Sequence, residues 1–474
     1  MMPRLAPDTL HCLGAGVASP QYAREQITTG ILHLGIGAFA RAHLAAATEA
    51  ALAAGDAPHW GLCGASLRHA DTRDALAPQH GLYTLVERDA DAHGRARQRL
   101  QVIGCLRELL AAPGDAPVLL ERIATPSTRI VSLTVTEKGY VTGPDGALDV
   151  LLQGLSLRRE RSEPGLTLLS LDNLASNGDT LHDRLVEAAR ARGDDLLADW
   201  LSRRCTFPNS MVDRIVPRTT EADRQAVAAA LGLRDAGPVL AEPYFDWAVE
   251  DRFALGRPDW ATHGVRLVDD AAPWERLKLR MVNGAHSAIA YLGVQAGWTT
   301  VHEAMSQPAM RAYVERLLRD EIAPTLPPLS GLDPAAYTAA LLGRFANPAL
   351  AHRTLQIAMD GSQKLPLRWL PVLRERLAAG AASPGLALAL AAWMQHQRGT
   401  DEAGRHHVID DPMAAELSAH AAAAPPDAAA AARHWLSFQP VFGDLGGHAL
   451  LATDVAAALA RLRALGAAAA LTPD

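Results

Sequence analysis

The chain has 474 residues, 49% hydrophobic and 20% charged, with a formal net charge of −7. That is more chain than one ordinary core holds, and it predicts a soluble, enzyme-like protein of two or three domains. An acidic balance without a basic run or Arg-rich arm argues against a nucleic-acid partner. The four scattered cysteines (Cys12, Cys63, Cys105, Cys205) form neither a CxxC pair nor a zinc spacing, which predicts reduced thiols. The opening stretch MMPRLAPDTLHCLGAG lacks the apolar run of a signal peptide, so a cytoplasmic location is expected. The most apolar run, LALALAAWM near residue 390, is too short to span a bilayer and predicts a buried helix, with no membrane partner.

In chain order, ILHLGIG (31–37) reads as a buried strand ending in glycines, and ARAHLAAATEAALAAG as one helix closing on Gly55. HWGLCGASL (59–67) is a second strand, and GLYTLVERD (81–89) with ARQRLQVIG a strand pair. RIVSLTVTE (129–137) and LTLLSLDNL (166–174) are two more apolar strands, with helical stretches between. Strands alternating with helices predict a parallel, doubly wound α/β sheet. From about Trp274 the pattern turns to long helical segments such as WERLKLRMVNGAHSAIAYLGVQAG and DVAAALARLRALGAAAAL. The expected division is an α/β domain over 1–272 and a mainly helical one over 273–474, joined by a Gly-, Pro- and Asp-bearing linker, GRPDWATHGVRLVDDAAP. The run AHAAAAPPDAAAAARHW predicts surface helices broken at Pro425 and Pro426.

The strand ILHL runs into Gly35-Ile36-Gly37-Ala38-Phe39-Ala40, a G-x-G-x-x-A pattern opening a helix. The first glycine permits the tight turn and the second lets a pyrophosphate approach the backbone. The third position needs only a small side chain, and the helix N-terminus faces the phosphates. This predicts a nicotinamide dinucleotide site. The ribose-binding acid expected roughly 20 residues on is not obvious. Arg68 sits near that place with Asp71 further along, and arginine there would tolerate a 2′-phosphate. NAD and NADP both stay open.

Only three of the 45 basic residues are lysine: Lys138, Lys278 and Lys364. Arginine stays charged at any working pH, whereas a partly desolvated lysine can give up its proton and act as a base. Wound as one α-helix, WERLKLRMVNGAHSAIA places Glu275 about 60°, His286 about 80° and Asn283 about 140° round from Lys278. These four polar groups share one face. Oxidising an alcohol calls for such a set. Lys278 takes the hydroxyl proton, the Asn283 amide donates to the oxygen, and Glu275 passes the proton outward.

Seven segments in one order together resemble the polyol-specific long-chain dehydrogenase/reductase (mannitol dehydrogenase) family. They are HLGIGAFARAH (33–43), SLTVTEKGY (132–140), SLDNLASNGD (170–179), FPNSMVDRIVP (207–217), EPYFDWAVEDRF (242–253), KLRMVNGAH (278–286) and QIAMDGSQKLP (356–366). The resemblance implies an N-terminal Rossmann-type domain followed by a helical domain, with the site between them, and no metal. It implies Lys278 as general base, Asn283 as part of an oxyanion hole, and His286 as a substrate-holding group. The second oxyanion asparagine belongs to the DN-x3-NG segment: Asn173 is preferred, with Asn177 its neighbour. Asp213 matches a substrate-hydroxyl ligand, Glu275 a proton-relay acid and Lys364 a substrate contact. Glu137 and Lys138 are expected near the nicotinamide.

Two departures stand out. The familiar loop ends F-H-R-A-H, where this chain has Phe39-Ala-Arg-Ala-His43, and mannitol dehydrogenases place an arginine where this chain has Gln356. QIAMDGSQKLP, TVTEKGY and RMVNGAHSAIAYLG resemble the fructuronate reductase branch, which acts on a sugar acid. A free carboxylate calls for Arg353, Lys364 or Arg368 as partner. The expected activity is NAD(P)-dependent interconversion of D-mannonate and D-fructuronate. D-mannitol/D-fructose, or another polyol such as arabinitol, is the alternative. A nucleotide-sensing regulator that lost catalysis is a reading of another class, and the intact Lys/Asn/His/Asp set speaks against it. The expected partner is a small-molecule sugar acid or polyol, and the expected state a monomer or small homo-oligomer.

Overall fold

The computed structural model describes residues 2–90, 95–140, 146–329, 331–349 and 352–472, leaving aside the side chains of Ala96, Pro113, Glu137 and Lys138. The chain divides into two compact units, Met1–Glu275 and Arg276–Asp474.

Among the described residues the first unit holds eleven strands: β1 Thr29–Leu34, β2 Gly61–Ser66, β3 Tyr83–Ala90, β4 Ala96–Ile103, β5 Leu106–Ala111, β6 Ile130–Leu133, β7 Thr167–Ser170, β8 Ser210–Asp213, β9 Val239–Ala241, β10 Asp246–Glu250 and β11 Val265–Val268. Five of them form a parallel sheet in the order β5-β2-β1-β6-β7. Counting only these five, the order is 3-2-1-4-5, the doubly wound Rossmann arrangement, and its direction of winding reverses between β1 and β6. Every residue of β1, β6 and β7 is buried, as a sheet covered on both faces requires.

Buried polar groups in these strands are paired. His33 of β1 meets Ser132 Oγ through Nδ1 at 2.8 Å and Thr134 Oγ1 through Nε2 at 2.9 Å. The Thr134 hydroxyl donates its one hydrogen to Gly35 O at 2.8 Å, so His33 Nε2 must carry the proton that reaches Thr134. Burial pushes the His33 imidazole down to about 4, which keeps it neutral beneath the glycine loop.

The expected strand pair is present: β3 and β4 are antiparallel and join β9 in a separate three-stranded sheet. A third sheet, β11-β10-β8, takes in part of the expected linker. Within that linker Val265–Val268 is a strand parallel to β10, and Trp260 is fully buried with its indole N–H donating to Thr48 Oγ1 at 3.2 Å. The single helix expected after the glycine loop is two, Ala38–Ala42 and Leu44–Ala53. They break at His43 (φ −117°, ψ −84°), whose buried ring is stacked between Phe39 and Phe245.

The second unit is helical. Its central helix, Gly284–Gln295, is buried at all twelve positions. The apolar run near residue 390 packs against it as part of the helix Pro384–His396. The alanine-rich stretch forms helices Ala414–Ala423 and Ala428–Leu436, interrupted at the two prolines, and Asp427 caps the second by accepting Ala430 N–H at 2.7 Å. The helix that opens at Ala272–Leu277 is not α-helical throughout: Lys278–Asn283 forms a π turn before the α-helix resumes at Gly284. Among the described residues no helix is long and apolar enough to cross a membrane.

Candidate active site

A groove of about 410 Å³ opens in the first unit at the C-terminal ends of β1, β2 and β6. Gly35, Ile36, Gly37, Arg68, Asp71 and Thr136 are among its walls. The two glycines serve different ends. Gly35 has φ +93°, and a Cβ there would lie 2.1 Å from Thr134 O, so the backbone itself demands glycine. At Gly37 a Cβ would meet nothing nearer than Gly35 O at 3.8 Å. The missing side chain there relieves no clash and instead leaves the backbone open to the groove. Ala38 and Phe39 begin the helix whose first N–H groups have no intrahelical acceptor. These residues fit a dinucleotide pyrophosphate. Arg41 is turned to the fold, donating to Gly37 O and Gly237 O. Arg68 and Asp71 are both exposed at the groove, within reach of a ribose or its phosphate.

The floor of the groove is pinned from β7. The buried Asp172 carboxylate accepts the N–H groups of Val135 (3.1 Å) and Thr136 (2.8 Å) and the Tyr140 hydroxyl (3.0 Å). This holds the loop TVTEKGY, with Thr136 at φ +62°. The side chains of Glu137 and Lys138, expected near the nicotinamide, lie outside the described residues.

The two candidate asparagines separate here. Asn177 is 1% exposed; its amide donates to Asp172 O (3.0 Å) and Ser210 O (2.9 Å), and its oxygen accepts Ser210 N–H (2.9 Å). That amide ties the loop after β7 to β8. Asn173 is exposed on the same loop. The Glu275 carboxylate holds that loop, accepting Ser176 N–H at 2.9 Å. Asp213 ends β8 at 8% exposure, while its neighbour Arg214 is spent on the Glu242 and Ala42 carbonyls and Glu87.

In the second unit the π turn changes the sequence reading. A turn closed i→i+5 advances less per residue than an α turn, so the K-x4-N spacing brings Lys278 and Asn283 to one face, at a smaller angle than an α-helix gives. Both are half-buried. Arg368 and Trp369 donate to successive carbonyls where the turn ends: Arg368 Nη1 to Asn283 O (3.3 Å), Trp369 Nε1 to Gly284 O (3.0 Å).

Among the buried polar atoms around this helix that have no partner are Asn283 Nδ2, His286 Nε2 and His352 Nδ1. Each such atom costs on the order of 1–3 kcal/mol unless something completes it, and buried polar groups left open in a native fold call for an explanation such as a ligand. The His286 and His352 rings stand edge to face 5.5 Å apart, and Phe345 packs on His286 at 4.3 Å. Burial, then His352, Arg344, Arg368 and Lys278, hold His286 well below the usual histidine range. Burial and then Lys364 do the same for His352. Both rings are neutral.

Lys364 donates to Met359 O at 2.5 Å and lies 3.7 Å from Asp360, tying the MDGSQK turn together. Arg353 is exposed, at a backbone bridge to Thr300. The sequence reading missed His33, Asp172, His352 and Phe345. His33 and Asp172 stand inside quoted segments without a role read for them, and His352 and Phe345 lie in none; each meets its partner across a fold contact.

Residues 29–262 match the mannitol dehydrogenase Rossmann domain, and residues 270–463 match the mannitol dehydrogenase C-terminal domain. The chain belongs to the mannitol dehydrogenase family. It is an oxidoreductase of that family, a polyol/aldonate dehydrogenase. It is 40% identical over 427 residues to the D-mannonate oxidoreductase of Escherichia coli, covering 85% of this chain and 86% of that one. It is 39% identical over 436 residues to the mannitol 2-dehydrogenase of Pyrenophora tritici-repentis, covering 86% and 76%. Among solved structures it superposes on Pseudomonas fluorescens mannitol 2-dehydrogenase, in a ternary complex with NAD and D-mannitol, with a TM-score of 0.87. The identity there is 33%, over 99% of this chain and 98% of that one.

Proposed function

We propose that this family member is an NAD-dependent dehydrogenase that interconverts the secondary alcohol and ketone of an open-chain sugar acid, D-mannonate and D-fructuronate first. The observation that carries the alcohol chemistry is the buried, unpartnered Asn283 amide one π turn from Lys278. Lys278 accepts the hydroxyl proton, and Glu275, three residues earlier on the helix, passes it toward water. Asn283 Nδ2 donates to the oxygen as negative charge gathers on it. A bound nicotinamide supplies the hydride acceptor for oxidation, and Gly35, Ile36, Gly37, Ala38, Phe39 and Arg68 are the residues that would hold the dinucleotide. Neutral His286 holds a substrate hydroxyl.

The sugar-acid preference rests on Arg368. Its guanidinium is largely buried and anchored through Nη1 alone, with burial pushing it down to about 10. Its other nitrogens are left for a carboxylate, which a planar guanidinium receives in bidentate fashion. D-mannitol/D-fructose is the second reading, supported by the mannitol 2-dehydrogenase relatives and the solved structure named above. The test is NADH absorbance with NAD or NADP and a panel of aldonates and polyols. The reading expects kcat/KM for D-mannonate at least tenfold above D-mannitol. The reverse order establishes the second reading, and no turnover with any member overturns both.

A further inference from the structure

We propose that His352 is a specificity-determining residue of this site, pairing with His286 as a two-imidazole station that reads a hydroxyl of the open-chain substrate next to the reacting carbon. The inference rests on the functional reading above and adds a residue to it.

Four observations support it. First, His352 Nδ1 and His286 Nε2 are both buried and both unpartnered, and their rings meet edge to face at 5.5 Å. One orphaned imidazole is an ordinary packing compromise, but two in mutual contact make a polar recess that the protein itself leaves incomplete. Second, the recess is rigidly mounted. His352 O accepts Val301 N–H at 3.0 Å, Arg353 bridges Thr300, and Thr354 donates N–H to Thr299 O at 3.1 Å and its hydroxyl to Trp298 O at 2.9 Å. Phe345 closes the far face of His286. Third, burial keeps both rings neutral, and a neutral imidazole presents one donor and one acceptor. A hydroxyl needs that combination, whereas a carboxylate needs donors only. Fourth, the recess adjoins the base. Lys278 is among the charges that act on His286, which lies on the same helix as Asn283.

Carboxylate and hydroxyl recognition are thereby divided. Arg368 suits the acid end, and the histidine pair suits the hydroxyl pattern. A site built to hydrogen-bond a hydroxyl discriminates strongly against an analogue lacking it, because its own buried atoms are then left unmet.

The experiment is steady-state kinetics of wild type, His352→Ala and His352→Asn on the best substrate and on analogues deoxygenated or epimerised at each carbon flanking the reacting one. Thermal melts of all three proteins accompany it. We expect His352→Ala to raise KM for the full substrate at least tenfold. The preference for it over one of the deoxy analogues should fall by a similar factor, and His352→Asn, which keeps a donor and an acceptor, should recover part of that preference. The proposal is overturned if the preference is the same in His352→Ala as in wild type. It is also overturned if every substrate suffers equally, with the melting point lowered and no recovery in His352→Asn. Wild-type turnover separates the cases: an active wild type with unaltered preference in the variant removes this inference alone, whereas a wild type inert toward every member removes the functional reading with it.

Discussion

Arg368 Nη1 donates to the Ser287 hydroxyl at 2.8 Å, one helical turn beyond the carbonyl of Asn283 that it also reaches. One guanidinium thus braces the helix that carries the candidate oxyanion donor, with further N–H groups left for a substrate. Arg368→Gln should raise KM for an aldonate more than tenfold and shift a neutral polyol of equal length less than threefold. An equal loss for both would show that the side chain only braces the helix.

Asn283 makes the next prediction. Its Nδ2 has no partner in the protein, so Asn283→Ala removes no hydrogen bond from the fold. Turnover should fall by about 10²–10³, the cost of losing one oxyanion donor, while stability shifts by about 1 kcal/mol or less. A calorimetric melt beside kcat checks both. A large fall in melting temperature with little loss of kcat would make the residue structural.

Much of this was legible in the sequence, and the exceptions have physical causes. The glycine loop and the β1, β2, β6 and β7 runs stand out because buried parallel strands read as unbroken apolar stretches. Strands β8 to β11 did not: they are three to five residues long, and Val265–Val268 hides among linker-like residues. The K-x4-N-x2-H spacing was legible, but its geometry was not. A helical wheel assumes a constant period, and the π turn at Lys278–Asn283 breaks it. Asn173 and Asn177 look alike on paper and differ only in burial. His352 has no pattern of its own, because its partner His286 lies on another element.

The π turn is itself testable. Inserting an alanine after Leu279 sets Lys278 and Asn283 six residues apart, about 240° round an α-helix, and takes them off their shared face. Turnover should fall at least 10²-fold while NADH binding by the first unit stays within threefold. Full activity in the insertion variant would mean that the alignment of the two side chains is not used.

His33 gives a pH dependence. Its folded value of about 4 lies below the usual value near 6.5, so the unfolded chain takes up a proton that the folded one refuses. Stability is complete above pH 6.5 and is lost as pH falls toward 4, by on the order of 3 kcal/mol in full. Chemical denaturation at pH 7, 5.5 and 4.5 should show a smaller decline in His33→Gln than in wild type. Equal slopes would contradict the buried neutral imidazole.

Arg68 bears on cofactor choice. If its guanidinium meets a 2′-phosphate, Arg68→Ala should lower kcat/KM with NADP at least fivefold and with NAD less than twofold. Equal effects would place Arg68 away from the ribose.

The central claim is that Lys278 is the base, and the most direct measurement is turnover and NADH affinity on one preparation of Lys278→Ala. The account predicts that kcat falls by about 10³ or more with the NADH dissociation constant, read by fluorescence, within threefold of wild type. Retained turnover, or a loss of NADH binding that accounts for the loss of turnover, would contradict it.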